Sequence, residues 1–180
     1  MRPSSEWGEA LWTQLRSEQI PCAMLLPRLP QVTLLNRLPF VTVEPELAHS
    51  RPSWLRQIPL QKLLTWSEDI PPVSAVNRAF RERFGEDLSD MHRGCLRLAG
   101  AQVLFRGIPL DLTSEQRCIV NLLVWCGSQI FSAGEIALLC LPHPSPDAAV
   151  VQISRINHQA QVVSPYKMSG CTRYKGYHLL

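Results

Sequence analysis

This sequence is poor in charge. Charged residues make up 18% of its 180 positions, against about 25% in an ordinary soluble domain. After Asp147 there is no acidic residue, while Arg155, Lys167, Arg173 and Lys175 remain. The C-terminal end is therefore expected to be positive surface, suited to phosphate or another acidic partner. The earlier part is balanced: Met1 to His92 carry ten basic and eleven acidic residues, Arg93 to Leu180 eight and four.

Other absences narrow the chemistry. The six cysteines (Cys22, Cys95, Cys118, Cys126, Cys140, Cys171) form no Cys-x-x-Cys pair. Cys140 and His143 have ligand-like spacing, but a second pair to complete a structural metal site is missing, so none is expected. There is no long uncharged apolar stretch and no signal-peptide pattern, which leads us to expect a reduced, cytoplasmic protein without a membrane span. No phosphate-cradling glycine loop, Gly-x-Ser-x-Gly elbow or His-Glu-x-x-His motif occurs. The paired carboxylates Glu68-Asp69 and Glu86-Asp87 lie in polar turns and read as solvated. We expect no enzyme and no cofactor.

What is present suggests two units within an α+β chain: residues 1–90, a small α/β domain, and residues 91–180. Prolines cut the first into short pieces. Ser5 to Gln19 has helical spacing of Trp7, Leu11 and Leu15. Cys22 to Leu26, Phe40 to Val43 and, less clearly, Leu60 to Trp66 read as strands. Val73 to Phe84 reads as a helix with Val76, Phe80 and Phe84 on one face and Gly85 as its stop. Gly85 to His92 is polar and reads as the connection between the units.

The second unit begins with three strand-like runs, Cys95 to Leu98, Gln102 to Phe105 and Ile108 to Leu112, separated by Gly100 and Gly107. Thr113 with Gln116, and Ser132 with Glu135, have the spacing of reciprocal helix caps. The first predicts a buried helix ending at Gly127, the second a shorter one to about Leu141. Ser145-Pro146 then starts a third, to about Gln159, because proline suits the first helical position. Ala149, Ile153, Ile156 and Ala160 should face the core. Ala148, Val151, Gln152, Arg155, His158 and Gln159 would face outward. Glutamine can pair with adenine, arginine with guanine, and valine can meet a thymine methyl. The chain closes in a hairpin, turning either at Ser169-Gly170 or nearer Tyr174-Lys175-Gly176. Arg173 and Lys175 there suit a phosphate or the minor groove.

The run from Leu110-Asp111-Leu112-Thr113-Ser114-Glu115 through Gly127-Ser128-Gln129-Ile130-Phe131-Ser132, Val151-Gln152-Ile153-Ser154-Arg155-Ile156 and Gly176-Tyr177-His178-Leu179 resembles the C-terminal effector domain of OmpR/PhoB-type bacterial response regulators. It covers nearly half of the chain. The resemblance implies a winged helix-turn-helix binding double-stranded promoter DNA through Val151, Gln152, Arg155, His158, Gln159, Arg173 and Lys175. It also implies that the Leu141 to Ser145 loop touches RNA polymerase. Where the family commonly has further cations after the Arg155 position, this chain has Asn157, His158 and Gln159, so fewer phosphate contacts are expected.

In that family a phosphorylatable receiver precedes the effector. Here no aspartate occurs before Asp69, so aspartyl phosphorylation is not expected. Residues 1–90 then form either a shrunken receiver-like unit or an unrelated one, serving a homodimer or a hetero-oligomer with another regulator. Trp7, Trp12, Trp54 and Trp66 are its candidate anchors or core residues. Two functions follow: a phosphorylation-independent transcription regulator, or a protein-interaction adaptor that keeps the winged-helix fold with little DNA binding of its own.

Overall fold

The described residues before 90 form short pieces, in keeping with the prolines among them. The computed structural model describes residues 31–38, 41–42, 45–53, 55–64, 77–78, 80–82, 85–87, 90–166, 168–172 and 176–179. A one-turn helix, α1 (Gln31–Leu35), leads to β1 (Val41–Thr42) and to a second short helix, α2 (Pro45–Ser50). Two 3-10 turns, Leu55–Gln57 and Leu60–Lys62, precede β2 (Leu63–Leu64). The two strands pair in parallel, Val41 against Leu63 and Thr42 against Leu64. The strand expected over Leu60 to Trp66 thus opens as a 3-10 turn, because Pro59 sets the backbone that starts it. Neither α1 nor α2 is long enough to reveal a helical period. Within the helix expected over Val73 to Phe84, residues 77–78 and 80–82 are helical and Phe80 is buried. The expected Ser5 to Gln19 helix, the Cys22 to Leu26 strand and the four tryptophans Trp7, Trp12, Trp54 and Trp66 lie outside the described residues.

Four antiparallel strands follow in sequence order: β3 (Asp90–Arg93), β4 (Leu96–Ala99), β5 (Gln102–Phe105) and β6 (Ile108–Pro109). β3 corrects the expectation of a polar connection up to His92. Its one apolar residue, Met91, alternates inward and is 1% exposed, so a single anchor suffices to fix the strand. The strand expected to begin at Cys95 begins at Leu96 instead, because Gly94 and Cys95 form the turn, with Gly94 at φ +57°. The third expected strand shortens to two residues. Pro109 has no amide to continue the ladder, and Leu110 returns a single bond to the Val103 carbonyl at 2.9 Å.

Helix α3 (Ser114–Cys126) starts on reciprocal bonds: the Thr113 hydroxyl accepts from the Gln116 amide at 3.3 Å, and the Gln116 side chain from the Thr113 amide at 3.0 Å. Helix α4 (Ala133–Cys140) repeats this with Ser132 and Glu135 at 3.2 and 2.8 Å. Each bond satisfies a helix-start donor that has no partner inside the helix. Helix α5 (Pro146–Val163) opens on Ser145, whose hydroxyl accepts from the Ala148 amide at 3.4 Å. It runs four residues past the expected Gln159, since nothing breaks it before Ser164-Pro165. The hairpin pairs β7 (Ser169–Thr172) with β8 (Gly176–Leu179), Thr172 opposite Gly176, so the turn is the later of the two considered. The whole is an α+β architecture. Among the described residues no helix is long and apolar enough to cross a membrane.

One apolar cluster joins these parts. Ile119, Leu122, Leu123, Phe131, Ile136 and Ile156 form its centre, and Leu35, Leu55, Ile58 and Phe80 extend it into the earlier residues. Phe80 and Trp125 meet with ring centres 6.4 Å apart. Arg37 also crosses: its guanidinium donates to the Ile130 carbonyl at 2.5 Å, pairs with Glu135 and lies 5.1 Å from the centre of the Phe131 ring.

Cysteine reactivity follows from this packing. Burial pushes the Cys126 thiol up to about 12, against smaller opposing effects of Lys62 and Arg37. The folded protein holds this proton where the unfolded chain, titrating near 9, releases it. Cys126 therefore subtracts stability as pH rises through that window. At pH 8, iodoacetamide should modify the exposed Cys95 long before Cys126. Peptide mapping checks this, and equal labelling would contradict it.

Candidate nucleic-acid interface

The surface of interest is the outer side of α5. Its inner side is fixed by Ala149, Ile153, Ile156 and Ala160, all at most 2% exposed, packed on α3 and α4. At about 100° per residue, positions 147, 151, 154, 155, 158 and 162 lie on the opposite side, within about 50° of the antipode. Val151 is 47% exposed, Arg155 and His158 are exposed, and Val162 is 78% exposed. Three of the expected contact residues, Val151, Arg155 and His158, are thus brought into one stripe.

The two glutamines are placed differently. Gln152 is half-buried on one flank, with both amide atoms committed. Its oxygen accepts from the Gln116 side chain at 3.0 Å and its nitrogen donates to Glu115 at 3.1 Å, tying α5 to the start of α3. Gln159 lies on the same flank, and its side-chain oxygen is buried without a hydrogen-bond partner among the described residues. Arg173 and Lys175 lie outside the described residues.

Electrostatically the stripe is sparse. From Asp90 onward, Arg155 is the one arginine among the described residues without a partner. Arg93 and Arg97 pair with Glu86 and Asp90, Arg117 donates to the Ala101 carbonyl at 2.6 Å, and Arg106 lies over the Tyr166 ring. The pairing of Glu86 with Arg93 and of Asp87 with Arg81 also accounts for one of the sequence's carboxylate pairs. Asp147, in the first turn of α5, lies on the same side and is the helix's one acidic residue. Cys140 is buried while His143 is exposed, and among the described residues no cluster could hold a metal ion.

Two structurally important residues were not visible as such. Asn157 holds β7 against α5: its amide oxygen accepts from the Ser169 amide at 3.0 Å and hydroxyl at 3.1 Å, and its nitrogen donates to the Ser169 carbonyl at 3.3 Å. In sequence it stands on a polar run beside His158 and gives no sign of facing inward. Arg37 reaches across 98 residues to Glu135, a separation no local pattern signals.

The molecule is then an α+β protein with an antiparallel sheet, three packed helices and a terminal hairpin, exposing one side of α5. No protein-family model matches the sequence, and no curated protein does. Among solved structures it is similar to the response regulator DrrB, an OmpR/PhoB homologue of Thermotoga maritima. That match has a TM-score of 0.49 and 12% identity, and covers 88% of this chain and 77% of that one. It is also similar to a mutant of RitR, with a TM-score of 0.42 and 13% identity over 82% of this chain and 69% of that one.

Proposed function

We propose that this chain is a cytoplasmic transcription regulator that binds double-stranded promoter DNA through a C-terminal winged helix-turn-helix and works without aspartyl phosphorylation. The observation that carries this is the outward stripe Val151, Arg155 and His158 on α5, with Arg155 unpaired among the described residues. In a major groove Arg155 would face guanine and Val151 a thymine methyl. Gln159 flanks them, and Gln152 reads a base only by giving up Glu115 or Gln116. Arg173 and Lys175 in the hairpin supply backbone contacts. The exposed prolines Pro142 and Pro144 before α5 present the loop that meets RNA polymerase. Residues 1–90 bind a second copy or another regulator, and the lack of any aspartate before Asp69 supports independence from phosphorylation.

Fluorescence anisotropy on promoter duplexes from about 50 to 200 mM salt tests this reading. Affinity should fall steeply with salt, and Arg155→Ala should weaken it roughly ten- to a hundred-fold. Arg173→Ala should flatten the salt dependence by about one unit of slope.

A second reading is favoured by a different observation. The outer side of α5 has one acid and one base, Asp147 and Arg155, besides exposed Val150, Val151 and Val162. Such a face suits a protein partner, as in an adaptor that keeps this fold inside a larger assembly. Absence of DNA binding even at low salt would select the adaptor.

A further inference from the structure

We propose that α5 pairs two copies of this chain, antiparallel about a twofold axis through Val151. Asp147, Val151 and Arg155 form one row at four-residue spacing, all exposed. Val151 is midway, so the acid and the base lie about 6 Å along the axis on either side of it. An antiparallel copy centred there puts Asp147 against Arg155 of the partner subunit, and the reverse, giving two reciprocal ion pairs around a Val151 contact. Rows of this spacing run side by side when helices cross at about 50°, the commonest packing of helices in globular proteins. A twofold contact is self-complementary by construction, and this row is self-complementary in charge and in apolar character.

The occupant is a second copy rather than another protein because the row supplies both halves of each ion pair itself. Neither Asp147 nor Arg155 has an ion-pair partner among the described residues. A single helix pair is small beside the ~1,600 Å² of a standard stable interface. The association is therefore weak and reversible, and it covers Arg155. Pairing and DNA binding through α5 exclude one another, so free protein at high concentration is held in a form that cannot read DNA. The pairing itself does not rest on the DNA reading.

Sedimentation equilibrium of the full chain without DNA tests it, with circular dichroism confirming that each variant is folded. The parent should show concentration-dependent self-association that depends on Asp147 and Arg155, separable by those two residues from any pairing through residues 1–90. Asp147→Arg and Arg155→Asp should each weaken self-association at least about tenfold, because two attractions become two repulsions. Mixing these two variants should restore dimers, since one then carries only cations on the row and the other only anions. Joining both changes in one chain should also restore them. A parent that stays monomeric overturns the proposal. So do single variants that dimerise like the parent, or a mixture that gains nothing. DNA titrations play no part in these outcomes, so the failure of either proposal leaves the other standing.

Discussion

Gly176→Ala is expected to cost about 3–5 kcal/mol and to pull β8 off the backbone ahead of α4. Gly176 has φ +122°, a conformation that L side chains rarely adopt. It also presses on the backbone ahead of α4: a methyl group there would meet the Phe131 carbonyl, 2.6 Å from its carbon and 2.9 Å from the Ser132 nitrogen. Neither atom can yield, because the adjacent residues are paired. The Phe131 amide donates to the Tyr177 carbonyl at 3.0 Å and the Tyr177 amide to the Phe131 carbonyl at 2.7 Å. Backbone strain accounts for about 1–3 kcal/mol of the loss, and the two bonds for about 1 kcal/mol each. A urea melt followed by circular dichroism measures it. A midpoint shift worth less than about 1 kcal/mol would mean the chain bends away from the contact at little cost.

Phe131→Ala is expected to lose about 3–5 kcal/mol, the usual range for emptying a buried phenylalanine site. Phe131 is fully buried and is also the ring under the Arg37 guanidinium. The substitution therefore removes packing from the centre of the core and a cation's resting surface at once. The same urea experiment reads it, and Phe131→Leu should recover most of the loss. Equal loss in the two variants would place the importance of Phe131 in its ring rather than its volume.

The legible parts of this fold were those written locally. Thr113 with Gln116 and Ser132 with Glu135 encode helix starts within four residues, and both pairs form. Ala149, Ile153, Ile156 and Ala160 encode the inner side of α5 by spacing alone, and all four are buried. What could not be read depends on partners distant in sequence. Gln152 looks like a free amide until Glu115 and Gln116, in a helix nearly forty residues earlier, take up both of its atoms. Asn157 looks like surface until β7 is folded back on it. β3 escaped notice because its only buried side chain is Met91, and one apolar residue carries no period.

The Arg37–Glu135 pair has a kinetic consequence. Glu135 gives one carboxylate oxygen to the local cap, bonding the Ser132 amide, and the other to Arg37. The local half closes a loop of four residues and can form as soon as α4 does. The distant half must wait for a loop of about a hundred residues to close, which is the slow kind of contact. A contact made after the rate-limiting step holds the folded state together without hastening its formation. Arg37→Ala is therefore expected to speed unfolding while leaving the folding rate nearly unchanged, which stopped-flow urea kinetics would read as a shift of the unfolding arm alone.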